Sequence, residues 1–385
     1  MEILKNKKHK LLFVGAFPPL GSQIVGGQVR ACQTLLSSSF SDHFDLKLID
    51  STQVSNPPPV FLKRTVLALK RFLTFIYKLY KERPNAVLLF SAVGLSLLEK
   101  GTMARVAEFL GVPAVHFPRG AEIIEVFHHQ GNHRPWIRWV FSGPTCNCAQ
   151  GPVWQRFFTE DLGLSKSRSP IIFNWTATPK LIKAGLEKKH TQGKVVRILF
   201  LGWLEREKGV FELLQACQQL QGITEFHLTI AGSGDAASEA KAYVDEHGLA
   251  HRVCFRGWVH GDDLYQLLVD SDVLALPSWA EGFPNAVVEA LAAGLAVITT
   301  SVGSIPGILT DGREALLVPP RNVRALTDAL SRVIEDDALR LKLQRRGNEF
   351  ARMNFTVDTA AENLTRVINT AIASKCESKQ TGAII

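Results

Sequence analysis

Short apolar runs alternate with stretches of helical period along the whole chain. In the first half Lys10–Gly15, Phe44–Ile49, Ala86–Ser91, Val112–Phe117, Thr145–Ala149 and Ile171–Asn174 read as strands. In the second half Val195–Leu201, Phe226–Ala231, Val253–Arg256, Asp272–Pro277, Val297–Thr300 and Ala315–Val318 do the same. Short apolar runs of this length, alternating with helical patterns, fit the strands of parallel sheets. The pattern predicts an α/β protein with two doubly wound parallel sheets in tandem, each opening on a strand and a glycine turn. The polar stretch Thr176–Lys194 reads as the connection between them. A last helical region is expected at about 356–373.

At 385 residues, with 46% hydrophobic and 21% charged positions, the chain fits two globular domains. No run of 18 apolar residues occurs, so no membrane span is expected. The start, with Lys5, Lys7, Lys8 and Lys10 before Leu11–Phe17, superficially resembles a signal peptide. The short apolar run and the following Pro18-Pro19 favour a first strand entering a glycine loop. Six scattered cysteines form no C-x-x-C, and the reading is reduced, buried thiols in a cytoplasmic protein. Charge is uneven. Residues 1–180 hold 22 Lys and Arg against 11 Asp and Glu, a balance of +11, and the remainder holds 22 against 25. The first half is therefore expected to meet something anionic.

The most informative segment is Ala280-Glu-Gly-Phe-Pro-Asn-Ala-Val-Val-Glu289-Ala290, between the strands at 272–277 and 297–300. Strand, short loop, helix and strand make a βαβ unit whose helix N-terminus aims N–H groups at whatever lies above the sheet. Glu281 stands on the loop, and Glu289 about two turns into the helix. Such a site suits a ligand with phosphates and sugar hydroxyls. Glu281 as a dipole-favoured acid at the helix start, with Glu289 solvated, is the plain structural alternative.

With this segment in that context, the chain resembles the retaining glycosyltransferases of family 4, whose E-x7-E segment it matches. The resemblance implies the GT-B fold, two Rossmann-like domains facing a cleft, with residues 1–175 and a C-terminal helix at about 356–385 in the first domain and 176–355 in the second. It further implies a nucleotide-diphosphate sugar as donor, with Glu289 accepting from ribose hydroxyls. Glu281, with the backbone of Gly282 and Phe283, would orient the donor sugar. Leu199–Leu214 resembles the family segment that sets an arginine and a lysine against the donor diphosphate. Lys208 matches the lysine, and Trp203 stands where the arginine is expected. The segment around Trp258 and Val259 resembles the one whose backbone reads the nucleotide base. The loop carrying Gly26 and Gly27 is expected at donor phosphate or acceptor. Aligned on the strand and Gly120, Arg119 takes the place of a family histidine near the sugar, and His116 lies three residues earlier. Arg119 cannot serve as a base but suits an anionic group. His116 is either a site residue or a core histidine of its strand.

The activity implied is metal-independent, retaining sugar transfer to a glycan or lipid-linked acceptor in cell-surface polysaccharide or glycolipid assembly. No cofactor and no nucleic-acid partner is expected. A GT-B nucleotide-sugar epimerase and a non-catalytic nucleotide-sugar-binding subunit are the alternatives. Asp270 and Asp272 mimic a metal-binding D-x-D, but Asp272 opens a parallel strand, and ligands gather at the other end. Residues 60–81 form a basic amphipathic helix in projection, with Lys63, Arg64, Lys70, Arg71, Lys78 and Lys81 in one arc of about 120°. It is either an ordinary packed helix with a solvated basic face or a surface that meets anionic lipid on the inner face of the cell membrane.

Overall fold

The computed structural model describes residues 8–18, 27–52, 61–120, 122–129, 131–188 and 195–381. The chain divides into two compact units, residues 1–173 with 357–385, and residues 174–356.

In the first unit β1 (His9–Gly15), β2 (Phe44–Asp50), β3 (Ala86–Ser91), β4 (Ala114–Pro118) and β5 (Cys146–Asn147) form one sheet in the order β2-β1-β3-β4-β5. Every pairing is parallel. All residues of β3 are buried, as a central strand between helical layers requires. Two expectations shift. β4 starts at Ala114 because Pro113 has no N–H to donate, though its carbonyl still accepts from Val87 N. Ile171–Asn174 does not form a strand: its neighbour β5 offers only two residues, and a single bridge joins Ile171 to Ala149.

Helix Phe61–Glu82 packs Phe75 and Leu79 against the core cluster of Leu12, Val14, Val87 and Leu89. The arc of six basic residues drawn from the sequence is not one solvated face. Arg71 reaches helix Leu95–Phe109 and binds Glu99 through two bonds of 2.8 and 3.1 Å. Lys78 donates to the Leu48 carbonyl at 2.6 Å. The C-terminal helix Val357–Thr381 belongs to this unit and is tied to it by Lys375, whose Nζ lies 3.0 Å from Glu108 Oε2.

The second unit holds β6 (Val196–Leu201), β7 (Phe226–Ala231), β8 (Val253–Gly257), β9 (Val273–Leu276), β10 (Ala296–Thr300) and β11 (Leu316–Val318), in the order β11-β10-β9-β6-β7-β8, again all parallel. The stretch read as a polar connection contains helix Pro179–Glu187. Thr178 caps it by accepting from Leu181 N, and Pro179 opens it. With only Leu181 and Ile182 buried, its apolar signal is too short to stand out in the sequence. Gly185 lets this helix lie directly on the turn after helix Asn285–Ala292: a Cβ there would come within 2.5 Å of the Ala292 carbonyl oxygen. Asn348 closes the same contact by donating to the carbonyls of Ala292 and Ile182.

Lys100 is the unusual group of the first core. Its side chain is 1% exposed and donates to Glu99 Oε2 at 2.7 Å. Burial pushes the Glu99 carboxyl up, but Arg71 and Lys100 outweigh it and hold the group below the usual carboxylate range. Burial in turn lowers Lys100. Glu99→Gln strands a buried ammonium and is expected to destabilise the first unit by about 3–5 kcal/mol in urea unfolding. Because the folded-state pKa of Glu99 is depressed, its contribution is complete above the unfolded value and is lost as pH falls through the folded one. This acid limb should be weaker in Glu99→Gln than in wild type, and equal limbs would reject the assignment.

Candidate functional site

The chain leaves β6 for β7 on one side and later returns to β9 on the other. Between β6 and β9 the strand order reverses, and in open parallel sheets the crevice at the carboxyl ends of such a pair is where ligands bind. The segments leaving these two strands form the site. After β6 comes Gly202–Glu205 and the single turn Arg206–Lys208, and after β9 comes Pro277–Pro284.

Lys208 Nζ lies 2.8 Å from Glu281 Oε1, with side-chain exposures of 24% and 11%. Ser278 Oγ donates to the same oxygen at 2.9 Å. The two loops are also joined through main chain and ring. Trp279 N donates to the Glu207 carbonyl at 2.7 Å, and Trp279 Nε1 to Glu212 Oε1 at 2.8 Å. The Arg321 guanidinium covers that indole, 4.1 Å from its centroid. Two glycines permit close main-chain approaches to the loop after β9, Gly209 from the loop after β6 and Gly303 from the loop after β10. Gly209, at φ +75°, would place a Cβ 2.1 Å from the Pro277 carbonyl oxygen. Gly303, at φ +54°, would place one 1.6 Å from that of Glu281. Ser304 N closes the far side by donating to the Gly282 carbonyl.

Helix Asn285–Ala292 starts where the Glu281 loop ends. Glu289, in its second turn, is 5% exposed, so it is no solvated helix residue. The Phe283 ring is buried against Phe355, 5.3 Å between centroids. Its side chain serves the core, and Asn174 Nδ2 holds its carbonyl at 3.0 Å. Only its main chain is available to a ligand.

Trp203 and Trp258 follow β6 and β8, both about half exposed, with ring centroids 4.6 Å apart. Val259 is half-buried beside them. Arg206, two residues before Lys208, is exposed, ion-paired with Glu239 and lies over the Phe211 ring. Asp272 is likewise engaged, accepting from Arg197 N, Nε and Nη2 at the amino end of β9.

His116, in the first unit, is corrected as a catalytic candidate. It is fully buried in β4 and stacks on Phe141. Asn147 Oδ1 can only accept, so Nδ1 carries the proton towards it and Nε2 accepts from the Ser91 hydroxyl at 2.8 Å. Burial pushes its pKa down to about 3. Both nitrogens are occupied, and the ring is a neutral core group. Arg119 follows β4, donates its main-chain N–H to the Ser91 carbonyl and lies over the rings of Phe117 and Phe90 at 5.1 and 5.9 Å. Burial lowers it to about 10, so it stays cationic at neutral pH. Gly27 is the exposed first residue of helix Gly27–Leu36. Gly26 lies outside the described residues.

Sequence reasoning missed Ser278, Trp279, Glu212 and Gly303. Ser278, three residues before Glu281, was the one readable signal, since a hydroxyl at that spacing can reach back to a loop carboxylate. Glu212 and Gly303 join the site only through the strand order.

Residues 184–350 match the family described as Glycosyl transferases group 1. Among curated relatives, the lipopolysaccharide core biosynthesis glycosyltransferase LpsE of Rhizobium meliloti is 27% identical over 189 residues, covering 49% of this chain and 54% of LpsE. The chain spans about half the length of the curated relatives it matches. Among solved structures, sucrose-phosphate synthase from Thermosynechococcus elongatus superposes with a TM-score of 0.74 at 18% identity, over 95% of this chain and all of that one. Anabaena Alr3699/HepE, in complex with UDP and glucose, gives 0.67 at 18%, over 94% and 99%. The second unit thus carries a region matching the group 1 glycosyl transferases, and the chain has the two-domain, parallel-sheet fold of GT-B glycosyltransferases.

Proposed function

We propose that this protein is a metal-independent, retaining glycosyltransferase that moves a sugar from a nucleotide-diphosphate sugar to a glycan or lipid-linked acceptor in cell-surface polysaccharide or glycolipid assembly. The observation that carries the reading is the pairing of Lys208 with Glu281 at the β6/β9 switch point, beside the helix that buries Glu289. Support for the donor class comes from HepE, whose structure holds UDP and glucose, and for the acceptor class from LpsE.

In the reaction, the bond from the anomeric carbon to the diphosphate oxygen breaks and the nucleoside diphosphate leaves with the electron pair. The acceptor hydroxyl oxygen forms the new bond and passes its proton to the departing diphosphate. Negative charge grows on the departing oxygen while the sugar gains oxocarbenium character. Lys208 and the N–H groups at the start of helix Asn285–Ala292 oppose that charge. Glu289 accepts from the ribose hydroxyls. Glu281, held by Lys208 and Ser278, orients the donor sugar together with the main chain of Gly282 and Phe283. His116 takes no part.

Glu289→Ala removes a charged acceptor, and donor Kd is expected to rise about ten- to a hundredfold by calorimetry. Glu281→Ala should lower kcat more than it weakens the free nucleoside diphosphate. If both variants lose nucleotide affinity equally, the division of roles is wrong.

Lys208→Ala should reduce kcat/KM about ten- to a hundredfold. A double-mutant cycle with Glu281→Ala should show non-additive losses, because each residue positions the other. Strict additivity would mean that the pair is not a functional unit.

The reading as a whole is tested by incubating the purified chain with a panel of nucleotide sugars and a lipopolysaccharide-core or lipid-linked acceptor, then assigning the product anomer by NMR. Transfer with retention that survives a chelator is expected. Donor turnover without any acceptor would indicate an epimerase, and binding without turnover a non-catalytic subunit.

A further inference from the structure

Helix Phe61–Glu82 presents an uncovered apolar row to solvent. Val66, Leu69, Leu73, Tyr77 and Tyr80 are 58–67% exposed. At about 100° per residue they fall within an arc of about 80°, and the row runs about 21 Å along the helix. Scattered exposed apolar residues are ordinary, but a contiguous row on one helix face marks a surface that meets something.

The helix cannot roll this row inwards. Phe75 and Leu79 on the opposite side are buried in the core of the first unit. Arg71 is clamped to Glu99 and Lys78 to the Leu48 carbonyl, which fixes the rotation about the helix axis. Lys70 and Lys81 border the row and are exposed, with Lys81 Nζ 5.3 Å from the Tyr77 ring centroid. Arg64 is exposed further round.

We infer that this row is the face by which the first unit lies on an anionic bilayer, its axis in the plane of the interface. Besides Arg71 and Lys78, which are engaged within the unit, the segment 61–82 carries Lys63, Arg64, Lys70 and Lys81 against one acid, Glu82. Pairing the row with that of a second copy would bring like charges together, whereas anionic headgroups neutralise them. Leu and Val suit the acyl boundary, and tyrosines settle at the headgroup level. Among the described residues no helix is long and apolar enough to cross a membrane. The helix therefore lies on the bilayer rather than through it. This inference is independent of the catalytic reading, because it needs neither donor nor turnover.

The test is flotation of the full chain with phosphatidylcholine vesicles, with and without phosphatidylglycerol, at low and high salt. Two double variants, Leu69→Ser with Leu73→Ser and Lys70→Gln with Lys81→Gln, change only exposed side chains, and circular dichroism checks that they fold as wild type does. Wild type should float with the anionic vesicles and be released by salt. The lysine variant should partition about twenty- to thirtyfold more weakly, and the leucine variant should fail to float at either salt concentration. Absence of binding by wild type, or equal binding by wild type and both variants, overturns the inference. So does light scattering that finds a wild-type dimer which the leucine variant turns into a monomer, since the row would then belong to a second copy.

Discussion

Lys208 and Glu281 lie 73 positions apart in the chain and meet because the strands they follow, β6 and β9, are neighbours across a reversal of strand order. The pair depends on a close approach of the loops after β6 and β9, which Gly209 permits, while Gly303, after β10, lets a third loop back against Glu281. With any other residue at 209 or 303, Cβ would overlap a carbonyl oxygen of the facing loop, in a backbone region that L side chains rarely adopt. The site is thus set by main-chain packing first and by the ion pair second. The charged groups then gain from being only partly exposed, where opposite charges interact more strongly than in water.

The architecture was legible because short strand-like runs alternate with stretches of helical period, and eleven of the twelve runs read from the sequence contain strands. Ile171–Asn174 failed because strand formation is decided by the neighbour, and β5 is too short to offer an edge. Helix Pro179–Glu187 was hidden because it buries few residues and rests on a glycine contact that has no sequence signature of its own. Lys208 was picked out from one local motif, and Glu281 and Glu289 together from another. What a motif cannot carry is which side chains face one another. His116 shows this clearly, since its partners Ser91 and Asn147 come from β3 and β5. Only the sheet order reveals that they satisfy the ring.

The same limit applies to the basic helix. A helical wheel groups residues by angle, and angle alone divided this helix into a basic arc and an apolar remainder. Arg71 and Lys78 lie at the boundary with the core, where long side chains can extend towards polar partners while their stems cover apolar surface. They became anchors. The apolar residues left outside are those for which the sheet and helix Leu95–Phe109 offer no room, and this division could be drawn only once the neighbours were known.

The charge balance of the second unit constrains the proposed chemistry further. Trp203 brings no charge to the position where the resemblance implies an arginine, and Arg206 is committed to Glu239 and Phe211. Lys208 is already matched by Glu281, and the Arg321 guanidinium already covers the Trp279 indole. A diphosphate entering this region would meet these cations only in exchange for those contacts. Its stabilisation would rest largely on main-chain N–H groups at the start of helix Asn285–Ala292, whose orientation is fixed by the fold and costs no reorganisation when charge develops. On the proposed reading, the contacts that hold the 277–284 loop through Trp279, Asn174 and Ser304 would matter to the chemistry, because fixed dipoles stabilise a leaving group only if they cannot turn away from it.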